Sequence, residues 1–357
     1  MTSPKLMVMA GGTGGHVFPA LAVAKELQNQ KIDVVWLGTK KGLEARVVPE
    51  NNISIRWISV EGLRGKSRVT LLLAPFKLLR AIWQSMNALR IEKPQCVLGM
   101  GGFASGPGAI AARLMGKKLV VHEQNAVAGL TNKYLSKIAH AVLTGFPNVI
   151  GLPRSAQWVG NPVRESIKPS SRTLNSPIKV LVVGGSQGAF SFNRYLPNLF
   201  SELQLQPNQP ALEIWHQTGR DKAVATRALY KDMSVDAKVS EFIEDMASAY
   251  DWADLLLCRA GAMTIAECCA AAKPALLVPY PYSAGDHQDF NAQVLVDAGA
   301  ARVVSNSKLQ DGELLAVLKE MLADGDELTA MGHRAASLHK ADALKSVVSV
   351  CKELCHA

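Results

Sequence analysis

Gly11-Gly12-Thr13-Gly14-Gly15-His16 sits between the apolar run Lys5–Met9 and a helix-spaced apolar pattern at Val17–Gln28. Glycines let a backbone turn sharply and approach a ligand closely. The helix that follows offers free N–H groups and the positive end of its dipole, which suits a phosphate or sugar phosphate. A tight structural turn is the plain alternative. The order is neither GxGxxG nor a Walker A loop, because no Gly-Lys-Ser/Thr follows. His16, at the helix start, is a candidate base: a neutral imidazole there can take a proton from a hydroxyl nucleophile.

Three more glycine-rich turns follow apolar runs. They are Gly99-Met100-Gly101-Gly102 with its continuation to Gly108, Gly184-Gly185-Ser186-Gln187-Gly188, and Arg259-Ala260-Gly261-Ala262-Met263-Thr264. Two such loops on adjacent strand ends make a wider anion pocket. Glu267, three residues past Thr264, is placed to accept hydrogen bonds from ribose hydroxyls; compensation of a helix N-terminus is the simpler reading. Asp286–Asn291 is dense in polar groups and reads either as a sugar-contacting segment or as a loop. His287 has Asp286 and Asp289 beside it, but neither HxH nor HExxH occurs, so a catalytic metal is not expected.

The elements that must carry these turns repeat one rhythm. Apolar runs at Lys5–Met9, Val34–Leu37, Cys96–Leu98, Leu119–His122 and Val142–Leu143 alternate with helical patterns. The rhythm restarts at Ile178–Val183 and continues through Ile214–His216, Leu255–Cys258 and Ala275–Val278. Continuous apolar strands separated by helices indicate parallel sheets covered on both faces. The 357 residues suffice for two domains. Asn161–Pro177, with three prolines and several serines, reads as a linker. The expected fold class is α/β with two Rossmann-like doubly wound domains, residues 1–163 and 164–340, and ligands held between them at strand carboxyl ends. Residues 341–357 read as a helix with Leu344, Val347, Val348, Cys351 and Leu354 on one face, packing back on the first domain.

Apolar residues at 48% and charged residues at 19% exclude a largely disordered chain. Residues 1–163 hold 20 Lys and Arg against 7 Asp and Glu, a surplus of 13; residues 164–357 hold 19 against 23. The basic half is expected to face an anionic partner. Val69–Arg90 groups Leu71, Leu72, Leu73, Phe76, Leu79, Ile82 and Trp83 with Lys77 and Arg80, preceded by Arg64, Lys66 and Arg68. Too short and too charged to span a bilayer, and interrupted by Pro75, it suits an anionic membrane surface or, alternatively, a core helix. The six cysteines form no CxxC pair and read as buried free thiols. No signal-peptide layout is seen, so a cytoplasmic location is expected.

GGTGGH at Gly11–His16, GLRGK at Gly62–Lys66, GMGGFASGPG at Gly99–Gly108, HEQN at His122–Asn125 and GNPVR at Gly160–Arg164 occur in one order. VVGGSQGA at Val182–Ala189, EFI at Glu241–Ile243 and AMTIAE at Ala262–Glu267 follow. Together they resemble the MurG family of bacterial peptidoglycan N-acetylglucosaminyltransferases over nearly the whole chain. The resemblance implies a GT-B architecture. It also implies inverting transfer of N-acetylglucosamine from UDP-GlcNAc to undecaprenyl-diphosphate-MurNAc-pentapeptide (lipid I), forming lipid II at the cytoplasmic side of the inner membrane. No cofactor or bound metal is implied, and other wall-synthesis proteins are plausible partners.

Carried over by motif, the backbone at Ile243 would read uracil and Glu267 would hold the ribose. Ser186 and Ala262, Met263, Thr264, Ile265 and Ala266 would face the diphosphate with Arg164. Gln288 and Asn125 would contact the sugar, and Thr13, Gly14 and Gly15 would close over it. Many relatives have Leu and Ser where this chain has Met263 and Ala266, a change backbone recognition tolerates. His16 is the expected base, with Glu123 its rival. Gly101 and Gly102 would grip the acceptor diphosphate, and Arg64, Lys66, Leu72, Phe76, Leu79 and Trp83 would meet acceptor or membrane. The competing readings are a UDP-GlcNAc epimerase of the same architecture, a dinucleotide oxidoreductase and a nucleic-acid binder. The GLRGK motif, the absence of GxGxxG and the lack of any recognition motif weigh against them in turn.

Overall fold

The structure, a computed structural model, describes residues 4–62, 73–169, 176–185, 188–207 and 209–356. The chain divides into two units, residues 1–162 with 341–357, and residues 163–340.

The first unit is a seven-stranded, all-parallel sheet. Its strands are β1 (Lys5–Met9), β2 (Asp33–Gly38), β3 (Ser54–Trp57), β4 (Cys96–Gly99), β5 (Lys118–Glu123), β6 (Ala141–Thr144) and β7 (Gln157–Trp158), in the order β3-β2-β1-β4-β5-β6-β7. Parallel neighbours cannot be joined by a tight turn, so helices carry most of the chain between them: α1 (Gly14–Asn29), α2 (Glu44–Glu50), α3 (Ala74–Glu92), α4 (Ser105–Leu114) and α5 (Leu130–Leu135). Successive strand residues face opposite sides of a sheet. Leu6 and Val8 of β1 therefore enter one core with Val17, Leu21 and Leu27 of α1, while Met7 and Met9 enter the other with Ala109 and Ala112 of α4. The Trp36 indole, fully buried on β2, donates to the Ala10 carbonyl at 2.9 Å and satisfies its one polar group.

The second unit repeats the plan with β8 (Ile178–Val183), β9 (Leu212–Gln217), β10 (Ala237–Ser240), β11 (Leu255–Cys258), β12 (Ala275–Leu277) and β13 (Ala301–Val303), in the order β10-β9-β8-β11-β12-β13. Its helices are α6 (Phe190–Gln204), α7 (Ala223–Asp232), α8 (Met246–Trp252), α9 (Ala262–Ala270), α10 (His287–Asp297), α11 (Glu313–Ala323) and α12 (Gly325–Ser337). Ile178, Val180 and Val182 of β8 pack with Phe192, Leu196 and Phe200 of α6 and Leu314 and Leu318 of α11. Asp286–Asn291 is mostly helical: a short 3-10 turn at Ala284–Asp286 runs into α10.

The last helix, α13 (Ala343–His356), returns to the first unit. Val347, Val348, Cys351 and Cys355 bury against the α1 side of that sheet, with Leu344 and Leu354 partly covered. All six cysteines are buried free thiols. Val347→Asp would place an uncompensated charge at a fully buried position. It is expected to cost about 3–5 kcal/mol, read as a lower urea midpoint by Trp fluorescence; an unchanged midpoint would show that α13 contributes nothing to this core.

Candidate active site

In a doubly wound sheet, connections leave in opposite directions where the strand order reverses, and the crevice at that point takes the ligand. The reversal falls at β1/β4 in the first unit and at β8/β11 in the second. All four glycine-rich turns leave these strands.

After β1 the chain turns at Gly12, whose φ is +94°, and enters α1 at Gly14. Thr13 is the N-cap but its side chain makes no capping bond, and no acidic residue lies in the first turn. The first intrahelical bonds run from the His16 and Val17 N–H groups to the Thr13 carbonyl. The Gly14 and Gly15 N–H groups thus have no intrahelical partner, the usual state of a helix start.

This loop is held from below by Glu44, a fully buried carboxylate on α2. It accepts from the Gly12 N–H at 3.0 Å, the Thr39 N–H at 3.0 Å and the Thr39 hydroxyl at 2.8 Å. A Cβ on Gly11 would come within 2.6 Å of this carboxylate and one on Gly42 within 2.0 Å, so both must be glycine for the acid to fit.

The β4 loop closes on the β1 loop from the other side. Gly101 and Gly102 have φ of +93° and +82°. A Cβ on Gly102 would lie 2.1 Å from the Gly11 carbonyl, and one on Gly101 2.8 Å from the His16 ring. The Ser105 hydroxyl sits 2.7 Å from both the Met9 and Gly101 carbonyls and ties the loops to β1.

His16 is half-buried on the first turn of α1, and its Nδ1 lies 2.8 Å from Gln124 Oε1. Gln124 Nε2 lies 3.1 Å from both the Nδ1 and the carbonyl of His122, and His122 Nε2 lies 3.0 Å from the Gly160 carbonyl. Glu123, between them on β5, points elsewhere. Its two oxygens accept from the Asn125 N–H, the Asn125 amide, the Gly129 N–H and the Asn132 amide, at 2.9–3.1 Å.

In the second unit α9 begins at Gly261, which has no side chain to cap it, and carries no acid in its first turn. The N–H groups of Ala262, Met263 and Thr264 therefore lack helical partners; Ile265 is the first to bond back, to the Gly261 carbonyl. Glu267, one turn on, accepts from the buried Tyr250 hydroxyl at 2.9 Å. Burial pushes its carboxyl above the usual range, while the Tyr250 bond and the charge of exposed Arg164 pull it back.

Ile243 is buried between β10 and α8. The Gln217 amide donates to the Gly185 and Glu241 carbonyls at 3.1 and 3.0 Å, joining the β8 turn to that segment. Arg259, buried over the Phe192 ring, donates to the Val278 and Pro279 carbonyls, the Ser191 hydroxyl and the Asn306 amide oxygen, and burial lowers its pKa to about 10. It is a strut linking β11, β12 and α6. Gln288, on the first turn of α10, accepts from the Tyr280 N–H at 2.9 Å.

Comparison with known proteins decides the family. Residues 6–144 match the glycosyltransferase family 28 N-terminal domain and residues 179–347 the glycosyltransferase family 28 C-terminal domain. The chain is 49% identical over 363 residues to a UDP-N-acetylglucosamine–N-acetylmuramyl-(pentapeptide) pyrophosphoryl-undecaprenol N-acetylglucosamine transferase of Shewanella amazonensis, covering 99% of this chain and 98% of that one. It is 46% identical to the transferase of the same name from Chromohalobacter salexigens, covering 98% and 96%. The crystal structure of Acinetobacter baumannii MurG superposes with a TM-score of 0.86 at 40% identity, covering 98% and 99%. The chain belongs to glycosyltransferase family 28.

Of the residues singled out in the sequence, this family 28 chain brings Thr13, Gly14, Gly15 and His16 together with Gly101 and Gly102, and joins His16 to the segment holding Asn125. It places Arg164 within electrostatic reach of Glu267 near the start of α9. Phe76, Leu79 and Trp83 stand apart, on the outer face of α3. Arg64, Lys66, Leu72 and Ser186 lie outside the described residues. Glu44, His122, Gln124 and Gln217 had no local signal beyond membership of a motif or none at all, because the contacts to Gly12, Gly160, His16 and Glu241 that tie them to these loops span 32, 38, 108 and 24 residues. No group of three or more potential metal ligands occurs among the described residues.

Burial pushes the His122 imidazole down to about 4, against about 6.5 for an ordinary histidine. Between those values the unfolded chain binds the extra proton, so the stability His122 contributes is complete above pH 6.5 and lost as pH falls through about 4. Wild type is expected to lose about 3 kcal/mol more than His122→Asn between pH 7 and pH 4 in urea unfolding. Parallel pH curves for the two would show that His122 is not held neutral.

Proposed function

We propose that the chain transfers N-acetylglucosamine from UDP-GlcNAc to the 4-hydroxyl of the muramyl sugar of undecaprenyl-diphosphate-MurNAc-pentapeptide, with inversion, giving lipid II for peptidoglycan synthesis. The observation that carries this reading is the near full-length kinship, at 46% and 49% identity, with transferases named for this donor and acceptor. An epimerase of the same architecture would need the donor site but no lipid acceptor.

The residue roles are those that the family resemblance implies, and the helix starts and loops of each unit support them where they are described. In the second, the start of α9 offers open N–H groups to the donor diphosphate, with Ser186 and Arg164 adding to them. Glu267 accepts from the ribose hydroxyls, the backbone at Ile243 reads uracil, and Gln288 contacts the sugar. In the first, Thr13, Gly14, Gly15 and Asn125 serve the transferred sugar, and Gly101 and Gly102 the acceptor diphosphate. The acceptor oxygen attacks the anomeric carbon opposite the departing UDP. A carbon–oxygen bond forms, the bond to the β-phosphate oxygen breaks with its electron pair leaving on UDP, and the hydroxyl proton passes to His16. Helix N-termini and Arg164 stabilise the charge growing on the diphosphate. Glu123 is poorly suited to be the base, since four donors already occupy its oxygens.

UDP release measured with EDTA present should depend on the lipid-linked acceptor; no release with authenticated acceptor would end the assignment. His16→Ala should lower kcat by about 10²–10⁴-fold with the KM for UDP-GlcNAc within a few-fold of wild type, and unchanged turnover would remove His16 from the mechanism.

We also infer that the first unit rests on the anionic cytoplasmic face of the membrane through α3. This helix buries its small residues Ala81, Ser85 and Ala88 with Leu89, and leaves Phe76, Leu79 and Trp83 each more than 60% exposed. Lys77 and Arg80 are exposed beside them, and Pro75, in the first turn, opens the helix rather than interrupting it. An exposed apolar face with a basic rim and a Trp suits the headgroup region. No helix among the described residues is long and apolar enough to cross a membrane. The combined variant F76E/L79E/W83E should bind vesicles containing phosphatidylglycerol at least about tenfold less tightly, since each Glu removes buried apolar area and adds repulsion. Equal sedimentation of both proteins with those vesicles would refute the surface.

A further inference from the structure

We propose that Gln124 and His122 are positioning residues that fix the proton of neutral His16 on Nδ1 and so leave the lone pair on Nε2. The inference rests on His16 being the base only for its catalytic consequence; the proton placement stands on the hydrogen bonds and the burial of the groups that make them.

Two groups near His122 can only accept. The Gly160 carbonyl faces His122 Nε2 at 3.0 Å, so that nitrogen carries a hydrogen. His122 is fully buried and its pKa is depressed, so it is neutral near pH 7 and its Nδ1 holds a lone pair. The second acceptor is the backbone carbonyl of His122, 3.1 Å from the Gln124 side chain. It requires the amide nitrogen, not the oxygen, on that side. The same nitrogen lies 3.1 Å from His122 Nδ1, so its two hydrogens meet two acceptors. Turning the amide over would set its oxygen against a carbonyl and a lone pair at once. Gln124 is fully buried, so no solvent relieves that opposition, and the orientation is fixed.

Gln124 Oε1 therefore faces His16 Nδ1 at 2.8 Å, and an oxygen there demands a hydrogen on Nδ1. The Asn161 amide, donating to the Gln124 backbone carbonyl at 2.9 Å, holds the same residue from behind. A neutral imidazole with hydrogen on Nδ1 carries its lone pair on Nε2. The tautomer of the half-buried histidine is thus determined by carbonyl groups on β5 and beyond β7.

One chemical consequence separates this arrangement from a histidine backed by a carboxylate. An amide oxygen orients the ring but carries no formal charge and has no proton affinity near neutral pH. The proton that His16 Nε2 takes from the acceptor hydroxyl stays on that imidazole and leaves by the same nitrogen.

The test is a long-range 15N–1H spectrum of the full-length chain labelled in histidine, with His16 identified by comparison with His16→Ala. The expected result is one neutral tautomer, hydrogen on Nδ1 and a bare Nε2. Hydrogen on Nε2, or an averaged tautomer pair, would overturn the proposal. Gln124→Met, of similar length but with only a weakly accepting sulfur, should show an averaged tautomer and lower kcat by about ten- to a hundredfold with donor KM little changed. A folded Gln124→Met with unchanged tautomer and kcat would also overturn the proposal, and if that variant does not fold the wild-type spectrum alone decides. Full turnover in His16→Ala would end the base assignment while leaving the proton placement to be judged from the spectrum.

Discussion

Parallel strands cannot be joined by tight turns, and everything else in this protein depends on that constraint. Each β-to-β connection must cross a sheet face, usually through a helix, and both faces are then buried. Where successive crossovers leave in opposite directions, neighbouring strand ends are left uncovered. In each unit the two strands flanking the reversal carry the glycine-rich turns. Their helices begin with open N–H groups because Thr13 and Gly261 provide no side-chain cap. Uncapped helix starts at these strand ends are thus a consequence of topology, and the glycines let the loops approach one another: Gly102 lies where any side chain would collide with Gly11.

Buried charge is distributed by the same economy. Glu44, Glu123 and Arg259 are all buried, and each is surrounded by donors or acceptors of the loops it supports. Burying an ion is costly unless hydrogen bonds offset its lost solvation, and a carboxylate whose oxygens are taken up by such donors has little left to offer a substrate. His16 and Glu267 differ. Each is half-buried and held by one neutral group, Gln124 and the Tyr250 hydroxyl. That leaves oriented valence for a ligand, as the roles proposed for these two residues require.

The α3 helix shows how composition alone misleads. Its apolar residues match those of a core helix in type. The positions it buries are chiefly Ala81, Ser85 and Ala88, and small residues let α3 pack closely against α4 and leave the large side chains outside. The basic surplus of the first 163 residues places positive charge in the same half of the chain. Apolar area and charge together define a surface that neither would define alone.

The sequence alone determined the central strands, because a strand buried on both faces must be apolar throughout. β1, β8 and β11 span the runs Lys5–Met9, Ile178–Val183 and Leu255–Cys258 read from residue type. It also determined the glycine turns and the helix starts, whose chemistry is local. The short strands Ser54–Trp57, Gln157–Trp158, Ala237–Ser240 and Ala301–Val303 escaped that reading, since their mixed residues are partly exposed at or near sheet edges. Only the tertiary structure decided the strand order, which depends on packing between segments far apart in the chain. Only it brought Glu44 beneath Gly12 and Gln124 to His16 across 108 residues. A hydrogen bond needs two groups within about 3 Å, and distance in sequence carries no record of that meeting.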